Sequence, residues 1–196
     1  VPELGGESRL WLQTDGGWIS ALALPDATPG LGAVVESDRF RKDLSRLAIV
    51  EDEALAAAQD AVTGAERHLL AQLAARSAQG ETLSVSMRAA LRHRLRTWSR
   101  RADFVEPGEA AALARAPVWP LVNGRFIDLA ALVTRFEHGE AVAYADLALP
   151  GPARLAIDAD LCLDLGQLTD PADRRFLAHL FGERLVSLTD AVLAAR

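Results

Sequence analysis

"RLWLQTDGGWISALAL", Arg9 to Leu24, is the stretch on which the fold turns. Its Asp15-Gly16 is a pair suited to the two central positions of a tight hairpin turn, where φ must be positive. The expected register sets Leu12 opposite Ile19 and Leu10 opposite Ala21, with Gln13 and Trp18 on the other face.

The phrase returns as "PVWPLVNGRFIDLAAL", Pro117 to Leu132, with Asn123-Gly124 at the turn. With Trp11 placed on Trp119, Gly16 falls on Gly124, Ile19 on Ile127 and Asp38 on Asp146. At the same offset "RLAI" at Arg46 to Ile49 falls on "RLAI" at Arg154 to Ile157, Leu55 meets Leu163, and Arg76 meets Arg184. A Trp and a four-residue identity at one constant offset point to a tandem duplication. Two similar hairpins in an Ala- and Leu-rich chain are the alternative.

Outward from the hairpins, "AVVES", "AVAYADLAL" and both "RLAI" phrases read as strands. In the second copy "DLAALVTRFEHG" predicts a helix capped by Asp128, with Leu129, Leu132, Val133 and Phe136 on one face and Gly139 as its stop. The first copy carries "PDATPGLG" there, which makes a poor helix. Asp52 to Arg76 predicts a closing helix with Leu55, Val62, Leu69 and Leu73 at heptad-like spacing and Gly64 as a weak point. "TDPADRRFLAHLFG" predicts another, with Asp170 as N-cap, Pro171 in the first turn, Asp173 near the positive helix end and Gly182 as stop. An extra helix is expected over Thr82 to Arg101, with Met87, Leu91, Leu95 and Trp98 as a core stripe. A short helix is expected in "EPGEAAALARAP", between two prolines.

The expected fold class is α+β: two tandem related hairpin-strand-helix modules packed with pseudo-two-fold symmetry, each covering the other's apolar sheet face. The expected organisation is a first module over 1–101 with the extra basic helix, a linker with a short helix over 102–116, and a second module over 117–196.

The 196 residues are half apolar, enough for a sizeable core, and carry a net charge of −6. That balance argues against nucleic-acid binding through the whole surface. The lone cysteine, Cys162, excludes an internal disulfide framework and any multi-cysteine zinc site. No apolar run approaches the roughly 18 residues that span a bilayer, and no secretory signal is visible. A cytoplasmic protein is expected. The start at Val1, without an initiator Met, suggests a piece of a longer protein. Lys42 is the only lysine and Asn123 the only asparagine, a usage that fits a GC-rich bacterial genome.

The strongest charge feature is "MRAALRHRLRTWSRR", which puts Arg88, Arg92, Arg94, Arg96, Arg100 and Arg101 on one helix with His93. Arg88, Arg92, Arg96 and Arg100 are the candidate partner-binding residues. At about 100° per residue the apolar stripe takes a narrow arc and arginines fill the remainder, so a solvated or internally paired face is the plainer expectation. "IDADLCLDLG" offers Asp158, Asp160 and Asp164 as hard oxygen ligands for a divalent cation. Cys162 stands where a calcium loop needs a third ligand, so the spacing fails. Cys162 itself lies in an apolar strand-like run and reads as a buried, inert thiol. His68, His93, His138 and His179 are dispersed. Neither a Gly-x-Ser-x-Gly elbow nor a Walker lysine occurs. No catalytic residue, cofactor or metal is assigned, and the chain is expected not to be an enzyme by itself.

"LPDATPGLGAVVESD", "IVEDEALAAAQDAV" and "PVWPLVNGRFIDLAAL" together resemble regions that follow the ATP-binding domain in bacterial proteins similar to the ninety-kilodalton heat-shock chaperones, of the histidine-kinase-like ATPase superfamily. The resemblance covers most of the chain but rests on strand-like phrases. The superfamily's Glu/Asn helix and Asp-x-Gly-x-Gly motif are not in this sequence, so no nucleotide-site residue carries over. It implies a chaperone-like or signalling ATPase whose motor lies upstream. The expected function is accordingly a non-catalytic interaction or client-binding region. Its expected partners are a protein client, the upstream ATPase domain or a second copy of the chain, with neither nucleic acid nor membrane. Two alternatives stay open: a free-standing metal-dependent enzyme using Asp158, Asp160 and Asp164, and a basic-helix adaptor using Arg88 to Arg101 on an acidic partner.

Overall fold

The computed structural model describes residues 6–44, 49–100, 107–146 and 162–188, without the side chains at 98–100 and 107. Helices and, among the described residues, three sheets, one mixed, one antiparallel and one parallel, make it an α+β protein. It divides into two compact units, Val1–Leu73 with Leu83–His93, and Ala74–Thr82 with Arg94–Arg196. The division therefore runs through two helices and not through 102–116.

In the first unit β1 (Arg9–Thr14) and β2 (Gly17–Ala23) form the expected hairpin. Asp15 and Gly16 both have positive φ, 49° and 72°. Thr14 pairs with Gly17 and Gln13 with Trp18, but beyond them the register shifts, and Leu12 faces Ser20 while Leu10 faces Leu22. The expected Leu12–Ile19 and Leu10–Ala21 pairs are thus corrected by one residue. The cause is a β-bulge that leaves Ile19 as the extra residue on β2. Ile19 and Leu22 would lie on opposite faces of a regular strand. With the bulge, both pack against the same core cluster.

The chain then crosses beneath the start of β1. Leu24 N donates to Ser8 O at 2.8 Å, Gly30 N to Gly6 O at 2.9 Å, and Ser8 Oγ to Thr28 O at 2.7 Å. This loop delivers β3 (Gly32–Glu36) parallel to β1, on the side away from β2, giving the order β2-β1-β3. A parallel neighbour needs a long connection, and β2 with its two turns supplies it without a helix. Glu66 pins the crossing by accepting from Thr28 N at 2.7 Å and also from the Thr28 hydroxyl.

Helix α1 (Glu53–Ala78) covers the sheet's inner face. Leu10, Leu12, Phe40, Leu55, Ala58 and Val62 make one buried cluster. Asp52 caps the helix by accepting from Ala54 N and Leu55 N at 3.0 and 3.2 Å. The expected heptad stripe fails at Leu69, which is 50% exposed. Buried positions step by four instead, through Ala58, Val62, Leu70 and Ala74, with Glu66 between. A four-residue step advances about 40° around the axis, so the stripe winds away from the heptad line. Gly64 does not interrupt the helix.

Helix α2 (Val85–Arg100) starts at Ser84, whose hydroxyl accepts from Met87 N at 3.2 Å. Leu91 and Leu95 are buried as expected, whereas Met87 is 37% exposed and not core. Met87 shares the face of Leu91 and Leu95 but stands in the first turn, at the end of the helix. The Trp98 side chain lies outside the described residues.

The second unit contains α3 (Pro107–Ala114), the expected short helix. Strands β4 (Trp119–Pro120) and β5 (Phe126–Ile127) form its hairpin. Gly124 has φ 82°, but Asn123 does not share a positive φ, so the turn differs from that at Asp15-Gly16. Gly124 N donates to Leu121 O and Leu121 N to Arg125 O, both at 2.9 Å. That is a three-residue loop in which a type I turn is followed by a left-handed glycine. Helix α4 (Leu129–Glu137) follows, with Asp128 accepting from Ala131 N at 2.7 Å and Gly139 ending it at φ 84°.

Strands β6 (Val142–Ala145), β7 (Cys162–Asp164) and β8 (Leu185–Ser187) are all parallel, in the order β7-β6-β8. Helix α5 (Pro171–Phe181) connects β7 to β8, capped by Asp170 and stopped at Gly182 as expected. Trp119 is fully buried and stacks on Phe176 at 5.8 Å. Trp11, its partner in the echo, is only half-buried. Leu55 and Leu163, aligned in the echo, stand on a helix and a strand. Residues 46–48 and 154–157 of the "RLAI" phrases lie outside the described residues.

Candidate interaction surface

Two of the four candidate arginines, Arg92 and Arg96, are buried. Arg96 is 7% exposed, and its guanidinium meets the Asp173 carboxylate and, at 2.6 Å, Asp170 Oδ2. Asp170 is the N-cap of α5 and Asp173 lies in its first turn, where both were expected to serve the helix end. Arg88 is half-buried, and burial, then the adjacent Arg92 charge, lowers its pKa. The Arg100 side chain lies outside the described residues. Neighbouring Arg94 bridges to Glu109 at 3.2 Å. The buried arc of α2 includes Arg92 and Arg96 because they sit one position on from Leu91 and Leu95, about 100° around the helix.

Of the three aspartates, Asp158 and Asp160 lie outside the described residues. Asp164 is buried and accepts from Gln167 Nε2 at 2.8 Å. Cys162 is buried as expected. Burial, and then the Asp164 charge, pushes its thiol up to about 11. Among the described residues no three His, Cys, Asp or Glu side chains are grouped to hold a metal ion.

What the structure does assemble, among the described residues, is an exposed sheet face in the first unit. Opposite the core side, the pairings place Trp11 beside Ala21 and Val34, and Gln13 beside Trp18 and Glu36. Trp18 is 61% exposed and Val34 56%. The Trp11 ring lies across β3: a Cβ at Gly32 would stand 3.0 Å from Trp11 Cζ3. Glu36 accepts from Gly16 N at 3.1 Å, and Arg9 pairs with Glu7 at 3.0 Å, so the indoles have polar margins. The outward placement of Gln13 and Trp18 was legible from strand alternation.

A groove runs beside this face, along the seam of β3 and α1. One part, of about 410 Å³, lies between Leu31–Val35 and Ala61, Val62, Ala65, Glu66 and Leu69. It continues past Val35 and Ala61 into a second part, of about 820 Å³, bounded by Glu36–Arg41 and by Asp52–Ala58. The Arg41–Asp52 bridge at 2.8 Å closes its far end. The Arg41 guanidinium, first, and the helix amides, next, lower the Asp52 carboxyl below its ordinary pKa. The groove was missed in the sequence. Its signal is the run of alanines along α1, which leaves that wall low.

No protein-family model matches the chain, and neither a curated protein nor a solved structure matches it.

Proposed function

We propose that this chain is a non-catalytic interaction region that binds a protein client or partner through the outer face of its first sheet. The supporting observation is the exposure of Trp18 and Val34 beside Trp11 on one side of a three-stranded sheet. Apolar side chains gathered on an exposed face mark interaction sites more often than those scattered singly. The resemblance to regions downstream of chaperone ATPase domains suggests a motor in the same larger protein, and a client with unfolded segments. Burial of Arg92 and Arg96 speaks against the basic-helix adaptor.

The test is light scattering from a heat-denatured client enzyme. The protein should slow client aggregation in proportion to its concentration. Trp18→Ser/Val34→Thr should lose that effect while keeping its own melting temperature. Equal protection by both proteins, or by neither, would remove the sheet-face reading. Calorimetry with Mg-ATP should show no saturable heat from this chain alone.

A further inference from the structure

We propose that the open edge of β3, with the groove beside α1, takes up an extended basic peptide segment of a partner as an added strand. The proposal rests on the interaction-region reading and gives it a site and a ligand chemistry. The backbone comes first. Arg9 N donates to Leu31 O at 2.9 Å and Ser37 N to Gln13 O at 3.0 Å. In a parallel ladder, alternate residues face the partner strand. Leu31, Ala33, Val35 and Ser37 therefore turn their peptide groups to β1, and Gly32, Val34 and Glu36 turn theirs away. Among the described residues β3 ends the sheet on that side. An unpaired row of N–H and C=O groups is a template for another strand.

The side-chain environment selects the occupant. Alternate side chains of an added strand would point to the inner side, where Ala61 and Ala65 keep the α1 wall low. Small aliphatic side chains suit that space. The other side chains would lie beside Val34 on the outer face. The charge is one-sided: Glu36, Asp52, Glu53 and Glu66 border the groove against Arg39 and Arg41. Arg41 and Asp52 satisfy each other, which leaves Glu36, Glu53 and Glu66 against Arg39. The remaining excess of carboxylates, Glu36 and Glu53 along one part and Glu66 along the other, fits a ligand with lysine or arginine flanking an alternating apolar core.

The experiment uses the whole chain and a short fluorescent peptide of alternating valine and threonine with a lysine at each end. Fluorescence anisotropy should show saturable binding that weakens with salt. The same peptide with glutamate at each end should bind about tenfold more weakly or worse. Val34→Pro removes an outward N–H while leaving the ladder to β1 intact, and it should abolish binding. Ala65→Phe fills the groove from an exposed helix position, leaves the edge backbone unchanged, and should also abolish binding. If Val34→Pro fails to fold, Ala65→Phe decides alone. Peptide binding unaffected by Ala65→Phe overturns the proposal, as does no binding at all. If the chain forms a dimer that Val34→Pro dissolves, the occupant is a second copy's edge and the peptide proposal falls. Client protection that depends on Trp18, without peptide binding, sinks the edge site alone. Loss of both sinks the interaction reading as well.

Discussion

Arg96 and Asp173 meet in the interior of the second unit, the arginine from α2 and the aspartate from the first turn of α5. Asp170, at 2.6 Å, completes the arrangement from the partly exposed side. Removing one member of a buried pair strands the other charge. Arg96→Ala should therefore cost about 3–5 kcal/mol in urea unfolding. Arg96→Met/Asp173→Leu should cost less than the sum of its single changes, because no buried charge is left uncompensated and Asp170 stays partly solvated. An Arg96→Ala protein with an unmoved urea midpoint would show that the pair contributes nothing.

The stripe on α2 splits by burial. Leu91→Ala and Leu95→Ala should each destabilise by about 2–5 kcal/mol, the range for truncating a buried leucine. Met87→Ala should change stability by no more than about 0.5 kcal/mol, since the side chain already faces solvent. Thermal melts of the three variants test this; equal losses at all three would restore Met87 to the core.

Two glycines should respond with opposite signs. Gly16 has φ 72° in the hairpin turn, and Gly16→Ala should destabilise by about 1 kcal/mol through backbone strain. Gly64 lies inside α1, where an added Cβ meets nothing within 4 Å. Gly64→Ala should stabilise by about 1 kcal/mol. Chemical unfolding of both proteins would expose an error if the two changes share a sign.

Cys162 makes stability depend on alkali. Its thiol sits at about 11 in the folded protein against an ordinary 9.0. The fold disfavours the thiolate, so its contribution is intact below pH 9 and is lost as pH rises towards 11. The loss across that window amounts to roughly 3 kcal/mol. Relative to Cys162→Ala, the parent protein should lose stability between those two pH values, and a constant difference between them would contradict it.

The sequence made the local elements legible where one residue type does one job. Asp128, Asp170 and Gly139 read directly as helix punctuation, and Asp15-Gly16 as a tight turn. The bulge at Ile19 was not legible, because Ile19 and Leu22 are both apolar and only the core decides that they share a face. Asn123-Gly124 suits two turn types, and the bond from Leu121 N to Arg125 O selects the longer loop. Leu69 misled because a heptad count and a four-residue step diverge over several turns. Arg96 misled because its counter-charges arrive from a distant segment that also caps a helix. The groove beside β3 arises from a strand edge and a helix wall that no local pattern joins.

The crossing under β1 makes the strand of this sheet that is synthesised first its central one. Its hairpin partner follows at once, but its other neighbour is complete only when Glu36 has left the ribosome. From the end of β2 at Ala23, at about 5–20 residues per second, that interval lasts roughly one to three seconds. During it the Leu10–Leu12 segment has one edge bonded and one edge bare. A translational pause ahead of Gly32 would lengthen that interval and give neighbouring nascent chains on the same message time to pair with it.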